Sequence, residues 1–277
     1  MSATPWLTVT RGDAPLIVSL PHTGTDLGGL EPRLVSPWLA RKDADWRIDQ
    51  LYDFAAALGA TIIHTALSRT MIDVNRDPSG ASLYPGQATT ELCPMTTFDG
   101  EALYREGQAP DAAEIAARRA AYFDPYHAAL SEEIARLRVA RRVVALYDCH
   151  SIRSVIPRLF DGALPTFNLG TNGGSSADEA LTRQVADLLR ASGQPFAVNG
   201  RFKGGWITRK YGDPANGVHA VQMEIACRGY LREPIGAVGE ADWPPPYDPA
   251  YAEPTRRLLR QIHQTILAWV DKSKGAA

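Results

Sequence analysis

The sequence predicts an α/β fold, with a largely parallel sheet flanked by helices. Two observations carry this. Short apolar, β-branched runs end abruptly in polar residues at 16–20, 143–146 and 218–224, as strands buried on both faces do. Stretches of helical period lie between and after them, around 42–58, 110–139, 177–191 and 255–270. At 277 residues, 45% hydrophobic and 22% charged, the chain reads as one domain spanning 1–277 with room for a sizeable core.

A formal net charge of −2 gives no reason to expect nucleic acid or an anionic membrane as partner. No apolar run approaches the roughly 20 residues that span a bilayer, and the N-terminal stretch lacks a secretory pattern. Cys93, Cys149 and Cys227 are widely spaced, with no CxxC. Neither a disulfide framework nor a thiolate zinc site is suggested, and a cytoplasmic location fits.

In chain order, 6–10 reads as an edge strand, followed by a turn at Arg11-Gly12-Asp13 and a core strand at 16–20. Pro21-His22-Thr23-Gly24 then places a histidine in a loop at that strand's end. Residues 42–58 predict one helix stopped by Gly59, with Asp43, Asp45 and Asp49 near its start. Those acids either complement the helix dipole or, in the case of Asp45, turn toward His22 as a metal ligand. A strand at 60–65 holds His64, without a catalytic role. Arg69, Asp73, Asn75 and Arg76 then cluster within eight residues, a pattern suited to a substrate anion or to a surface loop of ion pairs.

Residues 79–110 form a long aperiodic stretch with apolar anchors at Leu92, Met95, Phe98 and Tyr104, read as an ordered lid. A long helical pattern over 110–139 has a kink expected at Asp124-Pro125. The strand from Val143 runs into Asp148, Cys149 and His150. Strand alternation sends Cys149 away from its neighbours, as a small buried filler. Arg153 and Arg158 follow. A short strand at 165–171, a helix at 177–191 and a strand at 196–198 precede the glycine-rich loop 199–209, with Arg201 and Arg209. That loop lacks the spacing of known phosphate-binding patterns. It reads as a flexible segment delivering an arginine to an anion, or as a plain hairpin. The strand 218–224 carries Glu224, and 255–270 is a closing amphipathic helix.

In open α/β sheets ligands gather at the carboxyl ends of strands. His22 and His150 sit at two such ends. With one carboxylate they would make a three-ligand catalytic zinc site, and Glu224 would take the proton of an activated water.

The motifs PHTGT (21–25), DADWRIDQLYDFA (43–55), LSRTMIDVNRDPSG (67–80), TELCP (90–94), LYDCHSIRS (146–154), LPTFNLGT (164–171), NGRFKGGWITRKYGDP (199–214) and VHAVQMEIACRGY (218–230) together resemble the N-formylglutamate amidohydrolase family. The resemblance implies metal-dependent hydrolysis of N-formyl-L-glutamate to L-glutamate and formate, in histidine degradation. It also implies a central mixed, mostly parallel sheet similar to zinc carboxypeptidases and aspartoacylases. By that analogy Asn75-Arg76 holds the α-carboxylate and Glu224 activates water. Zn²⁺, or another divalent metal, is held by His22, His150 and a third ligand, Asp45 first, then Asp26 or Asp148. Arg69 stabilises the oxyanion, and Arg153, Arg201 or Arg209 clamps the second carboxylate. The alternatives are a hydrolase of another N-acyl amino acid and a non-enzymatic protein binding acidic amino acids.

Overall fold

A computed structural model describes residues 5–83, 86 and 89–272 of the chain. Its centre is a seven-stranded sheet in the order β1-β3-β2-β4-β7-β5-β6. The strands are β1 (Leu7–Thr10), β2 (Leu16–Leu20), β3 (Thr61–Thr65), β4 (Val144–Ile152), β5 (Phe167–Gly170), β6 (Phe196–Val198) and β7 (Val218–Ala226). Edge strand β1 runs antiparallel to β3, and β5 runs antiparallel to β7. The other pairings are parallel, so the sheet is mixed and mostly parallel.

Every residue of β2, β4 and β7 is buried, as strands covered on both faces are, and β2 and the first half of β4 read as apolar runs for that reason. One sheet face sends Leu16, Val18, Tyr147, Cys149, Val221 and Met223 into a core shared with α5 (Glu179–Ala191) and α7 (Pro249–Lys272). The opposite face sends Ile17, Val144, Leu146 and Ala220 against α4 (Asp124–Ala140). Further along that face the chemistry changes. Beyond Leu146 it carries Asp148 and His150, and beyond Ala220 it carries Gln222 and Glu224. Parallel register sets Asp148 beside Gln222 and His150 beside Glu224.

Three expected elements differ. The helix over 42–58 is broken into α1 (Pro37–Lys42), α2 (Ile48–Leu51) and a 3-10 turn (Asp53–Leu58). Ser36 caps α1, and Gly59 ends the run at φ 75°. Tertiary bonds claim the break: the Asp45 N–H donates to the His22 carbonyl at 2.9 Å, Asp43 accepts the Phe98 N–H, and Arg47 is left-handed.

The 110–139 helix contains a π-helical turn, Arg119–Phe123, between α3 (Ala112–Arg118) and α4. The irregularity falls just before Pro125, whose ring cannot accept a regular preceding turn. The loop 199–209 runs into α6 (Trp206–Tyr211), which takes up its last residues. Its first free N–H groups are satisfied from far away, Trp206 by the Asn75 carbonyl and Ile207 by the Asn75 side chain, so local sequence carries no cap signal.

In the expected lid, Leu92, Cys93, Phe98 and Tyr104 are buried, while 84, 85, 87 and 88 lie outside the described residues. No helix among the described residues is long and apolar enough to cross a membrane.

Candidate metal centre and substrate cleft

His22 leaves β2, His150 lies near the end of β4, and the break between α1 and α2 delivers Asp45. One ligand atom from each comes within 4.8 Å of the others. His22 Nδ1 is 3.8 Å and His150 Nδ1 is 3.1 Å from Asp45 Oδ2. All three side chains are at most 3% exposed.

Behind each imidazole stands a second carboxylate. His22 Nε2 is 2.7 Å from Asp73 Oδ1, and His150 Nε2 is 2.9 Å from Asp148 Oδ2. An ionised carboxylate only accepts, so Asp73 puts the His22 proton on Nε2 and leaves its Nδ1 lone pair on the Asp45 side, whereas His150 meets a carboxylate at both nitrogens, Asp148 at Nε2 and Asp45 at Nδ1, and is held as the imidazolium whose Nδ1 proton a metal would replace. Outer carboxylates of this kind orient metal-binding histidines. Among the described residues, His22 Nδ1 and Asp45 Oδ1 are buried without a hydrogen-bond partner. Two nitrogen donors, a carboxylate and orphaned polar atoms at their meeting point fit a divalent cation.

Electrostatics agree with this division. Burial alone would raise the Asp73 carboxyl, but Arg76, His22 and Arg69 hold it well below the usual range. Burial and then Arg69 push His22 down. His150 is raised well above the usual imidazole value, because Asp148 and Asp45 outweigh burial. Glu224, facing the same space from β7, is pushed up to about 7, chiefly by burial and also by Asp45, against His150 and Arg69.

The cleft in front of this cluster is lined by His22, His150, Gln222 and Glu224, by Arg69, Arg76 and Arg201, and by apolar Phe98, Ile152, Leu159 and Phe202. Arg69 donates to Asp73 at 2.7 Å and lies over the Phe98 ring. Arg76 donates to Thr90. Arg201 donates through Nε to the Leu159 carbonyl. Asn75 also lines the cleft, but its carboxamide is engaged at both ends: Nδ2 lies 3.1 Å from Asp148 Oδ2 and 2.9 Å from His150 Nε2, and Oδ1 accepts the Ile207 N–H.

Two expected arginines are elsewhere. Arg153 pairs with Asp43 and Asp99, and Arg209 donates to the Gly204 carbonyl; neither lines the cleft. Asp26 is exposed and caps the Gly28 N–H. Asp148, the third option as a ligand, stands behind His150. The sequence reading missed the supporting role of Asp73 and Gln222 altogether. Both were signalled: Asp73 sits among Arg69, Asn75 and Arg76, and Gln222 shares the strand face of Glu224 at i−2.

Fold and site together define an α/β protein with a buried His-Asp-His cluster able to hold a metal, opening on an arginine-rich cleft. The profile of the N-formylglutamate amidohydrolase family matches residues 14–231. The N-formylglutamate deformylase of Pseudomonas aeruginosa is 45% identical over 265 residues, 95% of this chain and 96% of that protein. That of Pseudomonas putida is 44% identical over the same shares. The chain belongs to the N-formylglutamate amidohydrolase family. Among solved structures, the N-formylglutamate amidohydrolase of Ralstonia eutropha JMP134 superposes with a TM-score of 0.73 at 24% identity, covering 96% of this chain and 98% of that one. The gene product Atu2144 of Agrobacterium tumefaciens gives 0.66 at 18% identity, covering 95% and 96%. Both share the fold.

Proposed function

We propose that this protein hydrolyses N-formyl-L-glutamate to L-glutamate and formate, as a metal-dependent step of histidine degradation. His22, Asp45 and His150 would hold the metal, Zn²⁺ in the first instance. When bound, it would supply Lewis acidity and a water of lowered pKa. The observation that carries the reading is the meeting of both Nδ1 atoms at Asp45, with His22, His150 and Glu224 lining one cleft that has three arginines on its walls.

Glu224 takes the proton from the attacking water and passes it to the departing amine; a carboxyl pushed up to about 7 suits both tasks. Arg69 faces the oxygen of the reacting carbonyl, fixed by Asp73 and by Phe98 beneath it. The substrate is a dianion, and the remaining cleft arginines, Arg76 and Arg201, match its two carboxylates. Asn75, in the cleft wall, supports this arrangement through Asp148 and the Ile207 N–H, both ends of its carboxamide being engaged.

The test is formate release from N-formyl-L-glutamate by purified protein, before and after chelation, with zinc returned. Activity should vanish on chelation and recover with metal. Glu224→Gln should keep bound metal and lose turnover by about a hundredfold or more. N-acetyl-L-aspartate and other N-formyl amino acids are the comparison substrates, and faster cleavage of one of them would displace this assignment.

A further inference from the structure

Gln222 lies two residues before Glu224 on β7, on the same sheet face, and is 4% exposed. Its carboxamide spans two elements. Oε1 accepts the Gly205 N–H at 2.7 Å, and Nε2 donates to Glu224 Oε2 at 3.2 Å. The orientation is forced, because a backbone N–H can only donate: the oxygen must face Gly205, leaving the NH₂ group for the carboxylate. Gly205 belongs to the loop that carries Arg201 and Phe202 into the cleft. That loop runs against the site so closely that a Cβ at Gly205 would come within 2.4 Å of Asn75 Nδ2. Asn75 repeats the pattern, its oxygen on Ile207 and its NH₂ group toward Asp148.

We propose that Gln222 is a positioning residue that sets the orientation of the Glu224 carboxylate and ties it to the loop bearing Arg201. Seating of the substrate's carboxylate on that loop is thereby mechanically linked to the base. This rests on the reading of Glu224 as the base. Two variants separate the arms. Gln222→Glu is close to isosteric and keeps an oxygen acceptor for Gly205, but replaces the donor facing Glu224. Gln222→Met removes both.

The measurement is kcat and KM for N-formyl-L-glutamate on zinc-loaded protein at alkaline pH, with zinc stoichiometry and thermal midpoint alongside. Gln222→Glu should lower kcat by about ten- to a hundredfold, the range for a hydrogen bond to a charged group. Its KM should stay within about twofold, with zinc content and midpoint unchanged. Gln222→Met should lower kcat similarly and also raise KM. Combined with Glu224→Asp, the Gln222→Glu effect should largely disappear rather than multiply.

A Gln222→Glu kcat within about twofold of the parent, or effects that multiply in the double variant, would overturn the proposal. So would loss of zinc or of the folded state in both variants. Full turnover by Glu224→Gln would instead bring down the base assignment, and the positioning role with it.

Discussion

Replacing Asp148 by Asn separates a ligand from a residue that orients one. The Asp148 carboxylate accepts from His150 Nε2 at 2.9 Å and from Asn75 Nδ2 at 3.1 Å, and it is fully buried. Asparagine keeps the shape and one carbonyl oxygen, so the ring still has an acceptor; what is lost is the charge. A hydrogen bond to a charged group contributes about 1.5–3 kcal/mol and a neutral one about 0.5–1.5 kcal/mol. The difference, about 1–1.5 kcal/mol, corresponds to roughly a five- to tenfold weaker metal affinity. This is near the low end of the 10- to 100-fold known for outer-shell partners. Asp148→Ala leaves the Nε2–H without an acceptor and should reach about a hundredfold. Competition against a chromophoric chelator measures both. Asp45→Asn should cost far more than Asp148→Asn, since it removes a direct ligand. Metal binding by Asp148→Asn at parental affinity would refute the orienting role, and loss of one zinc per chain would make Asp148 itself the ligand.

Further outcomes follow from the same geometry. Arg201→Met should raise KM by about ten- to a hundredfold through loss of a charge-assisted contact, whereas Arg209→Met, outside the cleft, should leave KM within about twofold; steady-state kinetics read both. His150 is raised by Asp148 and Asp45, so metal must displace its proton. Apparent affinity should therefore rise with pH through the neutral range, with protons released on binding, as calorimetry in buffers of different ionisation enthalpy would show. His263 is enclosed by Tyr52, Phe54 and Tyr147 with neither nitrogen hydrogen-bonded, and burial pushes it down to about 3. Folded and unfolded states are both neutral there above about pH 6.5. Below that the unfolded chain takes up a proton that the folded one excludes, so stability falls until about pH 3. At two pH units below 6.5 the loss is about 2.7 kcal/mol. His263→Leu should remove that part of the acid sensitivity in urea unfolding; an unchanged pH slope would refute it.

Much of the fold was legible because its central strands are buried on both faces. The runs at 16–20 and 143–146 needed only hydrophobic continuity, and the polar residues that follow them, like Gln222 and Glu224 within 218–224, mark where the chain stops packing and begins to hold polar groups. Alternation alone placed Cys149 opposite Asp148 and His150. The breaks were less legible. The interruption of 42–58 depends on His22 bonding to Asp45 and Phe98 to Asp43, and α6 begins where it does because Asn75, about 130 residues earlier in the chain, satisfies its first N–H groups. Neither partner can be read from a local window.

The sequence by itself determined the kind of chemistry available: two strand-end histidines, a glutamate in a buried strand, and arginines gathered within a few residues of Asp73 and Asn75. Those residue types are costly to bury without partners, so their presence in apolar runs pointed to a site before any geometry was known. Only the tertiary structure decided what each does. Parallel register set Glu224 beside His150 and Gln222 beside Asp148; the broken helix brought Asp45, and not Asp26, to the histidines; ion pairs with Asp43 and Asp99 took Arg153 out of the cleft. Which carboxylate faces an imidazole's Nδ1 and which its Nε2 depends on the distance and direction of groups far apart in the chain, and packing alone fixes those.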